Sequence, residues 1–161
     1  MEQLEENSRK KKLKLFEIGQ ESIDGIMTLD RQHHATPFIN PIPAELHLQQ
    51  MAHPDFVYLR IEIPEQAMAG YFLLVAEPDN CVEFRRIVID ENARGIGQLS
   101  ILQMEEYCRE FMGARRIWLD VYDDNAIGQH VYEKLGYVRF NTELINSRPL
   151  HFYHKHLDQA E

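Results

Sequence analysis

Apolar and polar residues alternate most sharply from Phe56 onward, and the pattern divides that part of the chain into strands and helices. Phe56 to Ile63 and Met68 to Ala76 read as strands joined by Pro64-Glu65-Gln66-Ala67, which makes a hairpin. Val82 to Ile89 is a third strand, entered from the Pro78-Asp79-Asn80 turn. Gly97 to about Met112 carries Ile101, Leu102, Glu105, Cys108 and Met112 at helical spacing, and Gly113 ends it. Ile117 to Tyr122 is a strand, Asn125 to Leu135 a helix stopped by Gly136, and Tyr137 to Asn141 and Leu150 to His154 close the sheet. Before Phe56 the pattern is weaker. Lys12 to Ile18 alternates as a first strand, and Asp24 to Asp30 and Ala44 to Met51 read as short helices. Between them Pro37, Pro41 and Pro43 impose extended or turn geometry. Strands followed by strand-helix-strand-helix-strand predict an α/β chain with a mixed sheet and helices on its faces. The stretch from Val82 to Val121 has the makings of a right-handed parallel crossover. Trp118 lies on a strand expected to be covered on both faces, which assigns it to the core.

Composition narrows the partners more than the fold. The 161 residues fit one domain over 1–161, with no Gly/Ser-rich linker and no repeat. Residues 1–12, with a short lysine run flanked by Glu5 and Glu6, read as a flexible end. A net charge of −9 argues against nucleic acid, whose phosphates call for a basic surface, and mildly favours cationic or amine-bearing partners. No apolar run approaches the roughly 20 residues that cross a bilayer, and the charged N-terminus lacks a signal-peptide core. Cys81 and Cys108 show no metal-ligand spacing and read as reduced residues of a cytoplasmic protein.

Two segments carry the chemistry. Arg94-Gly95-Ile96-Gly97 lies between a strand and a helix. A helix N-terminus offers free N–H groups and a partial positive charge, and glycines let a phosphate approach the backbone. A Gly-x-Gly alone is equally a tight turn. A dinucleotide-binding loop needs a third glycine where this chain has Ser100, though Asp120 could pass for its acidic partner. The second segment places Asn125 at a helix start and Tyr132 two turns later. Taken singly, Asn125 reads as an N-cap and Tyr132 as a half-buried aromatic.

Taken together, the segments resemble the GNAT superfamily of N-acetyltransferases over about Cys81 to Phe140. The glycine loop is similar to the family's pyrophosphate loop, and Asn125-Ala-Ile-Gly-Gln-His-Val-Tyr132-Glu-Lys-Leu-Gly136-Tyr137 to its Asn…Tyr-Glu-Lys-x-Gly-Phe segment. The chain departs from the family at Asn92, where Gln or Arg is usual, and the connection from Ile89 to the loop is about two residues short. The resemblance implies a mixed, mostly antiparallel sheet with helices on both faces. It also implies transfer of an acetyl group from acetyl-CoA to a primary amine, by direct attack with both substrates bound. Residues 81–140 would form the acetyl-CoA-binding core and 20–55 the acceptor side. Ile87, Val88 and Ile89 would pair with the pantetheine arm; Arg94, Gly95, Ile96, Gly97, Gln98 and Leu99 would hold the pyrophosphate; Asn125 would contact the arm near its reacting end.

Tyr132 would protonate the departing thiolate. A phenol of pKa about 10 and a thiol of about 8.5 differ by about 2 kcal/mol. Glu83 would be the base for the amine, with a solvent-facing Glu beside Arg85 as the plainer reading and Glu91 as a weaker candidate. The acceptor would be a small-molecule or peptide amine. A non-catalytic acyl-CoA-binding or sensing module on the same fold is the alternative. No metal is expected: His154 and His156 share a strand face, but His151 points the other way. An exposed C-terminal strand edge would support a homodimer.

Overall fold

The computed structural model describes residues 12–93 and 95–157. The N-terminal lysine run is thus mostly outside the described residues, and Arg94 wholly so. The strands are β1 (Lys14–Glu17), β2 (Phe56–Ile63), β3 (Gln66–Glu77), β4 (Cys81–Ile89), β5 (Arg116–Tyr122), β6 (Val138–Ile145) and β7 (Arg148–His156). The helices are α1 (Ile23–Asp30), α2 (Ala44–Met51), α3 (Gly97–Met112) and α4 (Ala126–Lys134). The strands form one sheet in the order β1-β2-β3-β4-β5-β7-β6. Only β4 and β5 run parallel, with α3 as their crossover; the other pairs are antiparallel.

The sheet is covered on both faces around β3, whose residues Ala69 to Val75 are all buried. On one face Leu59, Ile61, Phe72, Leu74, Phe84 and Ile117 pack with Ile101, Met104 and Cys108 of α3. Those three positions repeat at i, i+3 and i+7, the spacing of a single helix stripe. Burying each such side chain contributes about 1.5–3 kcal/mol. On the other face Tyr58, Tyr71, Leu73 and Val88 pack with Ile26 and Leu29 of α1. Gly113 ends α3 in the left-handed region at φ 64°, and Ala114 N–H returns to the Cys108 carbonyl at 3.0 Å. Inside α3 the buried Glu105 accepts from Tyr137 Oη at 3.0 Å and Lys155 Nζ at 2.8 Å, fastening the helix to β7.

Trp118 does not belong to the core. It is partly exposed, its ring stacks on Phe152 at 6.1 Å, and its indole N–H donates to Glu77 at 2.6 Å. The cause is coverage: α1 and α2 lie over β2, β3 and β4, so the same face of β5 and β7 stays open. The last strand, β7, lies inside the sheet between β5 and β6, so the open edge expected at the C-terminal strand belongs instead to β6, every residue of which is exposed.

Candidate active site

The site begins where the parallel pair comes apart. β4 and β5 are in register from Cys81↔Arg116 to Glu83↔Trp118 and then diverge. β4 continues to Ile89, paired only with β3. Asp90 N–H donates to the Ala69 carbonyl at 2.7 Å, on the β3 side. Strand alternation therefore turns the amide groups of Ile87 and Ile89 toward the gap, and those of Val88 toward β3. A bulge falls between Phe84 and Arg86 as the strands separate. Bulges bend and twist a strand locally, which opens the fork. What results is a short sheet edge in the middle of a sheet, with backbone donors and acceptors that another extended group can pair with.

A cavity of about 450 Å³ fills the fork. Ile87, Val88 and Ile89 line one side, and Asp120, Tyr122, Asn125 and Tyr132 the other. The third wall comes from the turn after α1, through His34, Phe38 and Asn40. Hydrogen bonds hold that wall in place. Gln32 Nε2 reaches Asp90 at 3.4 Å, Glu91 N–H donates to Gln32 Oε1 at 3.0 Å, and Arg86 donates to the Asn40 carbonyl at 2.7 Å. Arg86 is in turn bonded to the buried Asp30 at 3.3 Å. Asp30 also accepts from Tyr71 Oη at 2.6 Å and faces His47 Nε2 at 2.9 Å, with His47 Nδ1 2.7 Å from Tyr58 Oη. On the opposite rim Arg148 bonds Asp124, lies 3.6 Å from the Tyr122 ring centre, and donates to the Pro37 carbonyl at 3.2 Å.

Beyond Ile89 the chain makes a short 3-10 turn, Glu91–Ala93, and enters α3. Gly95 has φ 95°, a conformation that favours glycine. Ile96 is the N-cap and no side chain caps the helix. The Ser100 N–H is the first to bond back, to the Ile96 carbonyl at 2.9 Å, so those of Gly97, Gln98 and Leu99 remain as helix-terminal donors. A Cβ on Gly97 would meet none of the described residues within 4 Å. An anionic group fits there: free donors, a positive helix end and room.

Asn125 caps α4, its side-chain oxygen accepting from Gly128 N–H at 2.9 Å, and it lines the cavity as well. Tyr132 packs edge-on against Phe84 and Tyr137. No hydrogen bond among the described residues engages its hydroxyl. Burial first, and the charge of Asp120 second, push the Tyr132 phenol up to about 12. Asp120 is the acidic residue on the cavity wall. Water reaches it through the open mouth, yet surrounding protein and then the charge of Glu83 push its carboxyl up to about 6. Glu83 is buried, with both carboxylate oxygens taken by Arg85 at 2.8–3.1 Å, and it is not among the residues that line the cavity.

The structure thus brings together Ile87, Val88, Ile89, Asn125 and Tyr132, with the loop Gly95–Leu99 following directly on β4. It keeps Glu83 behind its arginine, and Arg94 falls outside the described residues. Asp120 and His34 were not assigned to this site from sequence. The available signal for Asp120 was a charged residue inside an otherwise apolar strand, on the Trp118 and Tyr122 face. Among the described residues no group of His, Cys, Asp and Glu is placed to hold a metal. His151 is instead satisfied by Asp123 at 2.7 Å and Thr142 at 2.8 Å.

A sequence model of the acetyltransferase (GNAT) family matches residues 26–137, well over half of the chain. The protein belongs to the GNAT family. It is an acyltransferase that uses acetyl-CoA to acetylate an amine. No curated protein matches the chain in sequence. Among solved structures, a spermidine N-acetyltransferase from Vibrio cholerae in complex with CoA and spermine superimposes with a TM-score of 0.80 at 17% identity, covering 91% of this chain and 96% of that one. A dodecameric structure of the Vibrio cholerae enzyme gives 0.74 at 17% identity, over 91% and 94%. At this identity the likeness establishes the fold.

Proposed function

We propose that the protein acetylates a small cationic primary amine by direct attack, with Asp120 as the base and Tyr132 as the acid. One observation carries this reading: the two groups line the same cavity, in the fork where the β4 backbone is open. Bound acetyl-CoA supplies the activated acetyl group. The Ile87 backbone and the Ile89 N–H offer the edge for its arm, Gly95 to Leu99 the cradle for its pyrophosphate, and Asn125 a polar contact near the reacting end. Residues 81–140 then form the cofactor half and 20–55 the acceptor side. The Ile87 N–H, turned into the fork, can donate to the acyl oxygen as charge builds there.

The attacking nitrogen enters as the free amine, its ammonium proton given up to water, and Asp120 receives the second proton, which becomes acidic as that nitrogen bonds the acyl carbon. A carboxylate pushed up to about 6 is ionised at pH 7 and a better base than an ordinary one. Tyr132 then gives its proton to the leaving sulfur. At about 12 its phenol lies about 3.5 pH units above a free thiol, a mismatch of roughly 5 kcal/mol. Two effects reduce it. A thiolate beside the buried Tyr132 ring is itself more basic than in water. Neutralising Asp120 also removes one of the charges that hold the Tyr132 phenol up. Proton uptake by the base therefore primes the acid. Glu83 acts at one remove, through its charge on Asp120 and its hold on Arg85.

The cationic acceptor is supported by the net charge of −9 and by Asp120 on the cavity wall. The spermine bound to a structural neighbour is an amine of this class. A homodimer through the exposed β6 edge and a cytoplasmic setting complete the reading. The test is Tyr132→Phe. Turnover is expected to fall at least tenfold while calorimetric CoA affinity stays within about twofold, since the hydroxyl acts only as bonds break. Wild-type turnover in the variant would remove Tyr132 from the mechanism.

A further inference from the structure

His34 stands on the turn after α1 and, among the described residues, makes one hydrogen bond, from Nε2 to the Ile89 carbonyl at 2.6 Å. A carbonyl only accepts, so the ring proton sits on Nε2. In the neutral ring Nδ1 is then a bare acceptor, and this atom is buried without a partner among the described residues. A buried unpaired acceptor is costly and rare in a native fold, and it calls for a donor that arrives from elsewhere. His34 lines the same cavity as the open β4 edge, so a ligand in the fork is what can bring one.

Position along the strand says which part of the ligand. Trp118 is opposite Glu83, and Asp120 follows two residues on, just past the start of the fork. Ile89 lies six residues beyond Glu83, at the end of β4. It directly precedes Asp90 and Glu91, which lead into the Gly95–Leu99 cradle. His34 is therefore away from the reacting end, between the chemistry and the phosphate site. Resting on the proposed reading that the cofactor arm lies along this edge, we infer that His34 Nδ1 accepts an amide N–H of the pantetheine arm while Nε2 stays on the Ile89 carbonyl. His34 is in this role a cofactor-binding residue contributed by the acceptor-side wall, and it ties the position of that wall to the presence of the arm.

The test is calorimetric titration of CoA and of adenosine 3′,5′-bisphosphate, which lacks the arm, into wild type, His34→Gln and His34→Asn. A Gln amide keeps a donor for Ile89 and loses the acceptor at Nδ1; an Asn oxygen stands near Nδ1. His34→Gln is expected to bind CoA about tenfold more weakly, and His34→Asn within about threefold of wild type, the scale of one hydrogen bond. The bisphosphate should bind all three alike. CoA affinity unchanged or improved in His34→Gln overturns the inference, as does an Asn variant as weak as the Gln one. Equal losses for CoA and the bisphosphate also overturn it, placing His34 with the phosphate loop. If wild type binds the bisphosphate but gains nothing from the arm, the reading of the β4 edge fails with it.

Discussion

Replacing Asp120 by Asn removes the one titratable group on the β5 wall of the fork with a carboxyl pushed up to about 6, and changes its size by little. A positioned base is worth on the order of a hundredfold or more in rate, so kcat/KM of Asp120→Asn should fall by about that factor at pH 7. The pH dependence is the sharper signature. With a pKa of about 6, Asp120 is roughly nine-tenths ionised at pH 7 and one-tenth at pH 5. Loss of the free amine lowers kcat/KM in both enzymes as pH falls, and wild type should lose about tenfold more than the variant between those two values, an acid limb of its own. Glu83→Gln provides the companion measurement. It removes a charge that raises Asp120 and frees Arg85 to approach it, so the limb should move to lower pH while the plateau survives. Stability moves the opposite way from activity. The folded carboxyl lies above its unfolded value of about 3.9, so its stabilising contribution is complete below that pH and is lost as pH rises through about 6. Asp120→Asn should therefore melt higher than wild type at pH 7 and equally at pH 3.5. The assay is initial-rate thiol release at saturating acetyl-CoA with varied amine, alongside thermal melts. An Asp120→Asn enzyme with wild-type kcat/KM and an intact acid limb would refute the assignment. A limb that vanishes in Glu83→Gln would hand the role to Glu83.

Two further outcomes follow from the fold. Asp30→Ala strips the buried acceptor shared by Tyr71, His47 and Arg86 and should cost about 3–5 kcal/mol in urea unfolding, with a raised acceptor KM because Arg86 no longer holds the Asn40 carbonyl. Gly113→Ala forces a side chain into φ 64° at the end of α3 and should cost about 1–2 kcal/mol, lowering the melting temperature by roughly 2–8 °C without changing kcat.

The boundaries of β2, α2 and α3 were legible because local chemistry sets them. Alternation defines Phe56–Ile63, and an apolar stripe closed by a left-handed glycine defines Gly97–Met112. The elements proposed to hold the cofactor were legible for a similar reason: a glycine loop at a helix start and an Asn-to-Tyr helix are contiguous in sequence. The fork was not. It depends on β4 leaving β5 after Glu83 and on a bulge at two consecutive arginines that look like any strand residues. Because the fork sets which side chains face the gap, the acidic residue that reaches it is Asp120, while Glu83 turns to Arg85. The open face at Trp118 escaped for a related reason. Coverage by α1 and α2 is a matter of helix length and tertiary placement, which strand patterning does not encode. His34 carries no local signal at all; only its carbonyl partner, 55 residues away, reveals it.

The most direct test of the account is thiol release from acetyl-CoA across a panel of primary amines, run on protein whose CoA affinity has been measured by calorimetry in the same buffer. CoA binding is expected together with amine-dependent thiol release and acetylated product for at least one cationic amine, at rates that rise with pH through about 6. Tight CoA binding with no thiol release for any amine would contradict it.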